Sequence, residues 1–115
     1  MLFVDVNVLL YAHRPDLAHH LAVGAWLDEA RRQPEPIAIP SVVVSGFLRV
    51  ATNPRVFHDP STPAVAWAFL RDIIERSRVV EPGPRHLDLF EQLCLSLEIR
   101  ANLVPDAYLA AMAIE

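Results

Sequence analysis

The sequence predicts one α/β domain, a short parallel sheet flanked by helices, and three observations carry that expectation. Short apolar runs rich in β-formers, Leu2-Phe3-Val4, Ile37-Ala38-Ile39 and Val79-Val80, alternate with longer stretches whose apolar residues recur at helical spacing. Proline, asparagine and aspartate punctuate the joints between them. At 115 residues, 53% hydrophobic and 21% charged, the chain suits one core (residues 1–115) rather than two, and it is not a disordered composition. Strands that alternate with helices imply right-handed crossovers and helices on both faces.

The elements follow in order. Leu2-Phe3-Val4 is a buried strand that ends at Asp5. Asn7 is then a good N-cap for a first helix through Val8-Leu9-Leu10-Tyr11. Pro15 breaks the chain, and Asp16 is placed to cap a second helix from Leu17 to about Arg32, with Trp26 and Leu27 on its buried side. The turn Gln33-Pro34-Glu35-Pro36 leads to the second strand. Pro40-Ser41 opens a third helix, Val42 to about Thr52, and Asn53-Pro54 stops it. Thr62-Pro63 reads as an N-cap with proline at the first helical position, starting a fourth helix that runs to about Arg76. After Val79-Val80 and the turn Pro82-Gly83-Pro84, a fifth helix covers roughly Arg85 to Arg100. A sixth begins near Pro105.

Composition narrows the function classes. No apolar stretch approaches the roughly 18 residues that span a bilayer, and Asp5 interrupts the apolar N-terminus at once, so no signal peptide is expected. The lone Cys94 has no internal disulfide partner, and a cytoplasmic setting is the expectation. A net charge of −4 argues against a general nucleic-acid coat protein, but not against a nuclease whose acidic residues are neutralised by metal. All ten basic residues are arginine.

Asp5 is the first residue with chemical content. A carboxylate that closes an apolar strand must be paired, hydrogen-bonded or metal-bound to offset its desolvation. In open parallel sheets ligands bind beyond the carboxyl ends of the strands, which is where Asp5 falls. The plainer reading is that Asp5 accepts backbone N–H groups of the following helix. Asp106, in the first turn of the last helix, has the same plain reading, because an acid there is favoured by the helix dipole. Two such acids converging on one cleft would suit Mg²⁺ or Mn²⁺, which take few protein oxygens and keep several waters.

The stretch Leu2-Phe3-Val4-Asp5-Val6-Asn7-Val8-Leu9-Leu10-Tyr11-Ala12 resembles the opening signature of PIN domains, an apolar strand followed by Asp-x-Asn/Asp. Phe47-Leu48-Arg49-Val50-Ala51-Thr52-Asn53-Pro54-Arg55-Val56-Phe57 is similar to a segment of the VapC toxins, especially the mycobacterial kind. Asn102-Leu103-Val104-Pro105-Asp106-Ala107-Tyr108-Leu109-Ala110-Ala111 resembles the family's third block. The blocks stand in the family's order and cover nearly the whole chain. The resemblance implies a PIN-like three-layer fold and a metal-dependent endoribonuclease toxin that hydrolyses phosphodiester bonds of structured RNA such as tRNA or ribosomal RNA. It implies Mg²⁺ or Mn²⁺ held by Asp5 and Asp106, with Asn7 orienting a ligand or water. It also implies a homodimer and a VapB-type antitoxin whose tail fills the groove. Arg49, Asn53 and Arg55, at the end of the third helix, are candidates to grip RNA phosphate.

Two departures from the family stand out. A glutamate is common just before the Phe-Leu-Arg stretch, where this chain reads Val44-Ser45-Gly46. PIN domains also continue into a further strand and acidic cluster, often Thr-Asp-x-Asp. This chain reads as shortened, lacking the family's C-terminal strand, and no spacing places Asp88 or Glu115 as substitutes. Such a gap would expose a sheet edge and favour dimerisation. The alternative function is therefore a catalytically silent PIN-like fragment that dimerises or binds an antitoxin. A phosphotransfer domain fits poorly, because Asn7 stands where the haloacid-dehalogenase pattern needs a second Asp, and a receiver needs a lysine that this chain lacks. His13, His19, His20 and His86 are expected to be structural. Trp26, Trp67, Phe69 and Phe90 are expected in the core or a dimer contact rather than as a base-stacking platform.

Overall fold

A computed structural model describes all 115 residues, which form two compact units, Met1–Val80 and Glu81–Glu115. The first holds a three-stranded parallel sheet in the order β1 (Leu2–Phe3), β2 (Ile37–Pro40), β3 (Ser77–Val80). Leu2 pairs with Ile37, and Ile37 in turn with Ser77. The central strand, Ile-Ala-Ile-Pro, is buried along its whole length, as a strand covered on both faces must be. Pro40 can close it because proline lacks only an N–H, and its fixed φ leads directly into the next helix.

Four helices cross over between the strands: α1 (Val6–His13), α2 (His20–Arg32), α3 (Ser41–Ala51) and α4 (Pro63–Glu75). Helix α1 packs against α2 and α3, and α3 against α4. Their buried residues, Leu9, Leu27, Val43, Phe47, Leu70 and Ile73, make the core together with the buried strand β2. The α1–α3 contact is closer than ordinary side chains allow. A Cβ at Gly46 would stand 2.8 Å from Cγ2 of Val6, so the glycine is what lets the first turn of α1 lie against α3.

Several local expectations are corrected. Asn7 does not cap α1; it is exposed inside the first turn, and Asp5 is the cap. Asp16 does not cap α2, which starts three residues later than expected, at His20. Its carboxylate is held instead by both Nε and Nη2 of Arg14, at 2.9 Å each. Trp26 is 46% exposed and Trp67 42%, so neither tryptophan is core, whereas Leu27 is buried as expected. The Thr62-Pro63 start holds, with Thr62 Oγ1 accepting the Val65 N–H at 3.2 Å.

The second unit is a helical hairpin of α5 (His86–Ser96) and α6 (Val104–Ile114), joined by a loop and a 3-10 turn, Ala101–Leu103. Helix α5 stops four residues earlier than its apolar pattern suggested. Glu98 takes φ 49°, and the Ile99 N–H reaches back to the carbonyl of Cys94 at 3.0 Å. That is a Schellman closure with glutamate at the position glycine favours. Buried His86 donates from Nε2 to the Tyr108 carbonyl at 2.9 Å, and its ring meets those of Tyr108 and Phe90. The Gly83 and Arg85 N–H groups, just before α5, are taken by the two carboxylate oxygens of Glu115, each at 2.7 Å.

His13 ties the end of α1 to the loop ahead of α4. Its Nε2 shares a 2.8 Å hydrogen bond with Ser61 Oγ, and its ring lies against Phe47 and Phe69. Burial, then the charges of Arg14 and His20, hold its pKa below the ordinary value of about 6.5. The unfolded chain therefore binds this proton more readily than the folded one, and His13 costs stability as pH falls below about 6.5 towards the folded pKa. Melting temperatures between pH 7.5 and 5 are expected to fall on acidification, and to fall less in His13→Asn. For the helix contact, Gly46→Ala is expected to destabilise by about 1–3 kcal/mol in denaturant titration, and Val6→Ala to restore part of the loss in the double variant.

Candidate functional site

The sheet's carboxyl edge is where a parallel α/β fold offers ligands a place. The sequence puts one acid at the end of its first strand. The Val4 N–H bonds to the Ala38 carbonyl at 3.2 Å, extending the ladder one residue beyond β1, and the chain then turns into α1 at Asp5. Asp5 has extended backbone, φ −104° and ψ −179°, the conformation of an N-cap. Its Oδ1 accepts the Val8 N–H at 3.0 Å, the only hydrogen bond its side chain makes. The residue is half-buried, and its carboxyl group is anchored through Oδ1. Both sequence readings of Asp5, a helix cap and a carboxylate presented at a strand end, are thus compatible in one geometry.

Asn7 is exposed one residue into α1, next to the capped turn. Asp106 stands in the first turn of α6, in the second unit, exposed and with no hydrogen bond to its carboxylate. An acid there lies in the favourable field of the helix N-terminus and keeps its oxygens available. No three His, Cys, Asp or Glu side chains gather into a ready cage. Each carboxylate taken by itself, an oxygen donor with an unbonded oxygen, is of the kind that suits a hard divalent cation drawing most of its ligands from water and phosphate. Such donors do not fit a closed tetrahedral zinc site.

The segment before Phe47 contributes no acid. Gly46 faces Val6, and Val44 is half-buried on α3. The third-helix candidates lie farther off. Arg49 is in the last turn of α3, at the other end of a helix roughly 16 Å long from the sheet's carboxyl edge. Arg49 and Arg55 are exposed. The Asn53 side chain is already occupied, its Oδ1 accepting the Arg55 N–H at 2.9 Å in an Asx turn. Within the first unit, then, Arg49, Asn53 and Arg55 form one group at the far end of α3, while Asp5 and Asn7 form another at the strand end.

Arg14 is the residue that the sequence reading passed over. It is 8% exposed, lies over the Phe57 ring at 3.9 Å, forks onto Asp16 and donates to the Asp59 carbonyl at 2.9 Å. That fork holds the Asp16 carboxyl below the usual carboxylate range. With His13, Ser61 and Thr62 it lines a hollow of about 590 Å³. The signal was present as Arg14-Pro15-Asp16, where a fixed proline between opposite charges favours a local fork, but the same letters also read as a helix start.

Comparison with known proteins bears on this geometry. The family model "PIN domain" matches residues 2–115. The chain is 41% identical over 116 residues to ribonuclease VapC31 of Mycobacterium tuberculosis, covering 99% of this chain and 82% of that protein. It is 41% identical over 117 residues to ribonuclease VapC25 of the same species, covering all of this chain and 82% of the relative. It is also 41% identical over 117 residues to VapC ribonuclease Mb2897 of Mycobacterium bovis, covering all of this chain and 80% of the relative. A family model that spans nearly the whole chain and relatives 41% identical along its length point the same way: the chain belongs to the PIN-domain family, in its VapC branch.

Proposed function

We propose that the protein is a metal-dependent endoribonuclease toxin of a toxin–antitoxin pair, acting on structured RNA such as tRNA or ribosomal RNA. The observation that carries this reading is Asp5, a carboxylate fixed at the carboxyl end of β1 with one oxygen free, inside the family's opening block. Ribonuclease relatives along the whole chain support the reaction class. Asp5 and Asp106 hold the cation, Mg²⁺ or Mn²⁺, an assignment that rests on their places in the family's blocks. Asn7, exposed beside the capped turn, orients a water or a ligand. When bound, the cation supplies Lewis acidity towards phosphate oxygens and a water of lowered pKa.

The chain's own residues do the rest. Asp5 keeps its orientation because the Val8 N–H fixes one oxygen. Arg49 and Arg55 contribute exposed guanidinium charge, whose planar donor forks match phosphate oxygens. Asn53 keeps the Arg55 turn in shape. A VapB-type antitoxin and a second copy of the chain are the proposed protein partners, and the cytoplasm is the proposed setting. No helix is long and apolar enough to cross a membrane.

One observation favours a second reading, a silent PIN domain that binds its antitoxin without cutting RNA. No carboxylate stands at Val44–Gly46, and the close approach of Val6 leaves no room for a side chain at Gly46 without repacking. Incubation of the purified chain with a mixed tRNA and ribosomal RNA pool separates the two. With Mn²⁺ we expect cleavage, abolished by EDTA and reduced at least a hundredfold in Asp5→Asn. Unchanged cutting by the variant would overturn the assignment of Asp5, and absence of cutting with Mn²⁺ would favour the silent reading.

A further inference from the structure

We propose that a hollow at the amino edge of the sheet, walled by Arg31, Arg32 and Arg76, is a second contact for RNA phosphate, remote from Asp5. Helices α2 and α4 end beside one another, where they deliver the chain to the starts of β2 and β3. Because the strands are parallel, this is the end of the sheet opposite Asp5. Arg31 and Arg32 occupy the last turn of α2, and Arg76 is the C-cap residue of α4. With Asp28 they line a hollow of about 240 Å³.

Arginine at a helix C-terminus needs no ligand to explain it, since the dipole favours a cation there. What points to a ligand is the state of the donors. A guanidinium carries five N–H donors, and the protein's own acceptors take few of these fifteen, leaving the exposed ones to water or to an anion that displaces it. Arg76 enters no ion pair. Arg32 makes one contact of 3.3 Å with Glu29, both side chains being largely exposed, and Glu29 also accepts from Gln33. Such an exposed pair is weak and easily exchanged. Arg31 reaches Asp72 through Nη1 at 3.5 Å and its carbonyl through Nη2 at 3.1 Å, while its buried Nε–H has no acceptor. Buried N–H groups rarely go without one.

Three guanidiniums with unspent donors line a hollow with room for a phosphate group and its waters, and they match the bidentate chemistry of a phosphodiester. Asp28 is the one carboxylate in the wall, and it opposes an anion. The site therefore suits one phosphate along a polyanion, whose other contacts lie elsewhere, better than a free anion that must bind by itself. A structured RNA is long enough to touch both ends of the sheet. This proposal rests on the ribonuclease reading for the identity of the polyanion.

The two substitutions that test it move binding in opposite directions, so loss of fold cannot imitate the pattern. Fluorescently labelled tRNA is titrated with the full chain in EDTA, where no cleavage occurs, between 50 and 200 mM salt. Arg76→Ala is expected to weaken binding about fivefold near 150 mM and to reduce the slope of log K against log salt by about 0.7–0.9. Asp28→Asn is expected to tighten it about twofold or more. Arg71→Ala, an equal charge change on α4 outside the hollow, is expected to do distinctly less than Arg76→Ala. Equal effects of Arg71→Ala and Arg76→Ala, or no tightening by Asp28→Asn, would overturn the proposal. If that happens while the wild type still cuts RNA, the nuclease reading stands without the hollow. A wild type that neither binds nor cuts would overturn both.

Discussion

The bond from the Val8 N–H to Asp5 Oδ1 sits where the first strand becomes the first helix, and much of the first unit depends on that junction. A helix start leaves backbone donors without partners, and a strand end leaves a side chain at the edge of the sheet. One aspartate answers both needs. It satisfies a donor of α1 and keeps a carboxyl oxygen at the sheet's carboxyl edge, where one hydrogen bond offsets part of its desolvation. The direction of α1 is fixed in the same stroke. Val6 is carried onto Gly46, and α1 is set against α3 at a distance that only a glycine permits.

That close contact links fold to chemistry. In the resemblance to VapC toxins, the stretch before Phe-Leu-Arg is where an acid is common, and this chain holds Val44, Ser45 and Gly46 there. The space a longer side chain at 46 would need is occupied by Val6. Packing here replaces charge, and under the proposed function a cation would lean more heavily on Asp5 and on oxygens from water and phosphate. The phosphate contact proposed for the arginine hollow at the opposite edge would fit this economy, because affinity for a polyanion can be gathered away from a reacting centre.

Much of this architecture was legible because local and global signals agreed. Thr62-Pro63 started a helix as read, Ile37-Ala38-Ile39 formed the buried central strand, and the apolar strand before Asp5 put that carboxylate at the sheet edge. The misreadings came where one letter served two physical roles. Asp16 is as good a helix cap as an arginine partner, and Arg14 reached it first. Asn7 has the right chemistry for a cap, but Asp5 lies one residue before the helix and Asn7 within it. Trp26 shares the apolar pattern of Leu27 yet faces outward, since an amphipathic stripe in sequence does not say how wide the covering surface is. The end of α5 was hidden because Glu98 adopts a left-handed turn with no glycine to announce it. The arginine hollow joins the ends of helices far apart in sequence, which no local pattern reveals.

Asp5 is held to be a cap and a cation ligand at once, and one substitution parts the two roles. Asparagine caps a helix as well as aspartate does but carries no charge. The decisive measurement is Mn²⁺ binding by electron paramagnetic resonance for the wild type and Asp5→Asn, alongside their melting temperatures in EDTA. The expected result is melting within a degree or two of the wild type and Mn²⁺ affinity lower by at least tenfold. Undiminished Mn²⁺ binding in Asp5→Asn would contradict the account, leaving Asp5 a helix cap and nothing more.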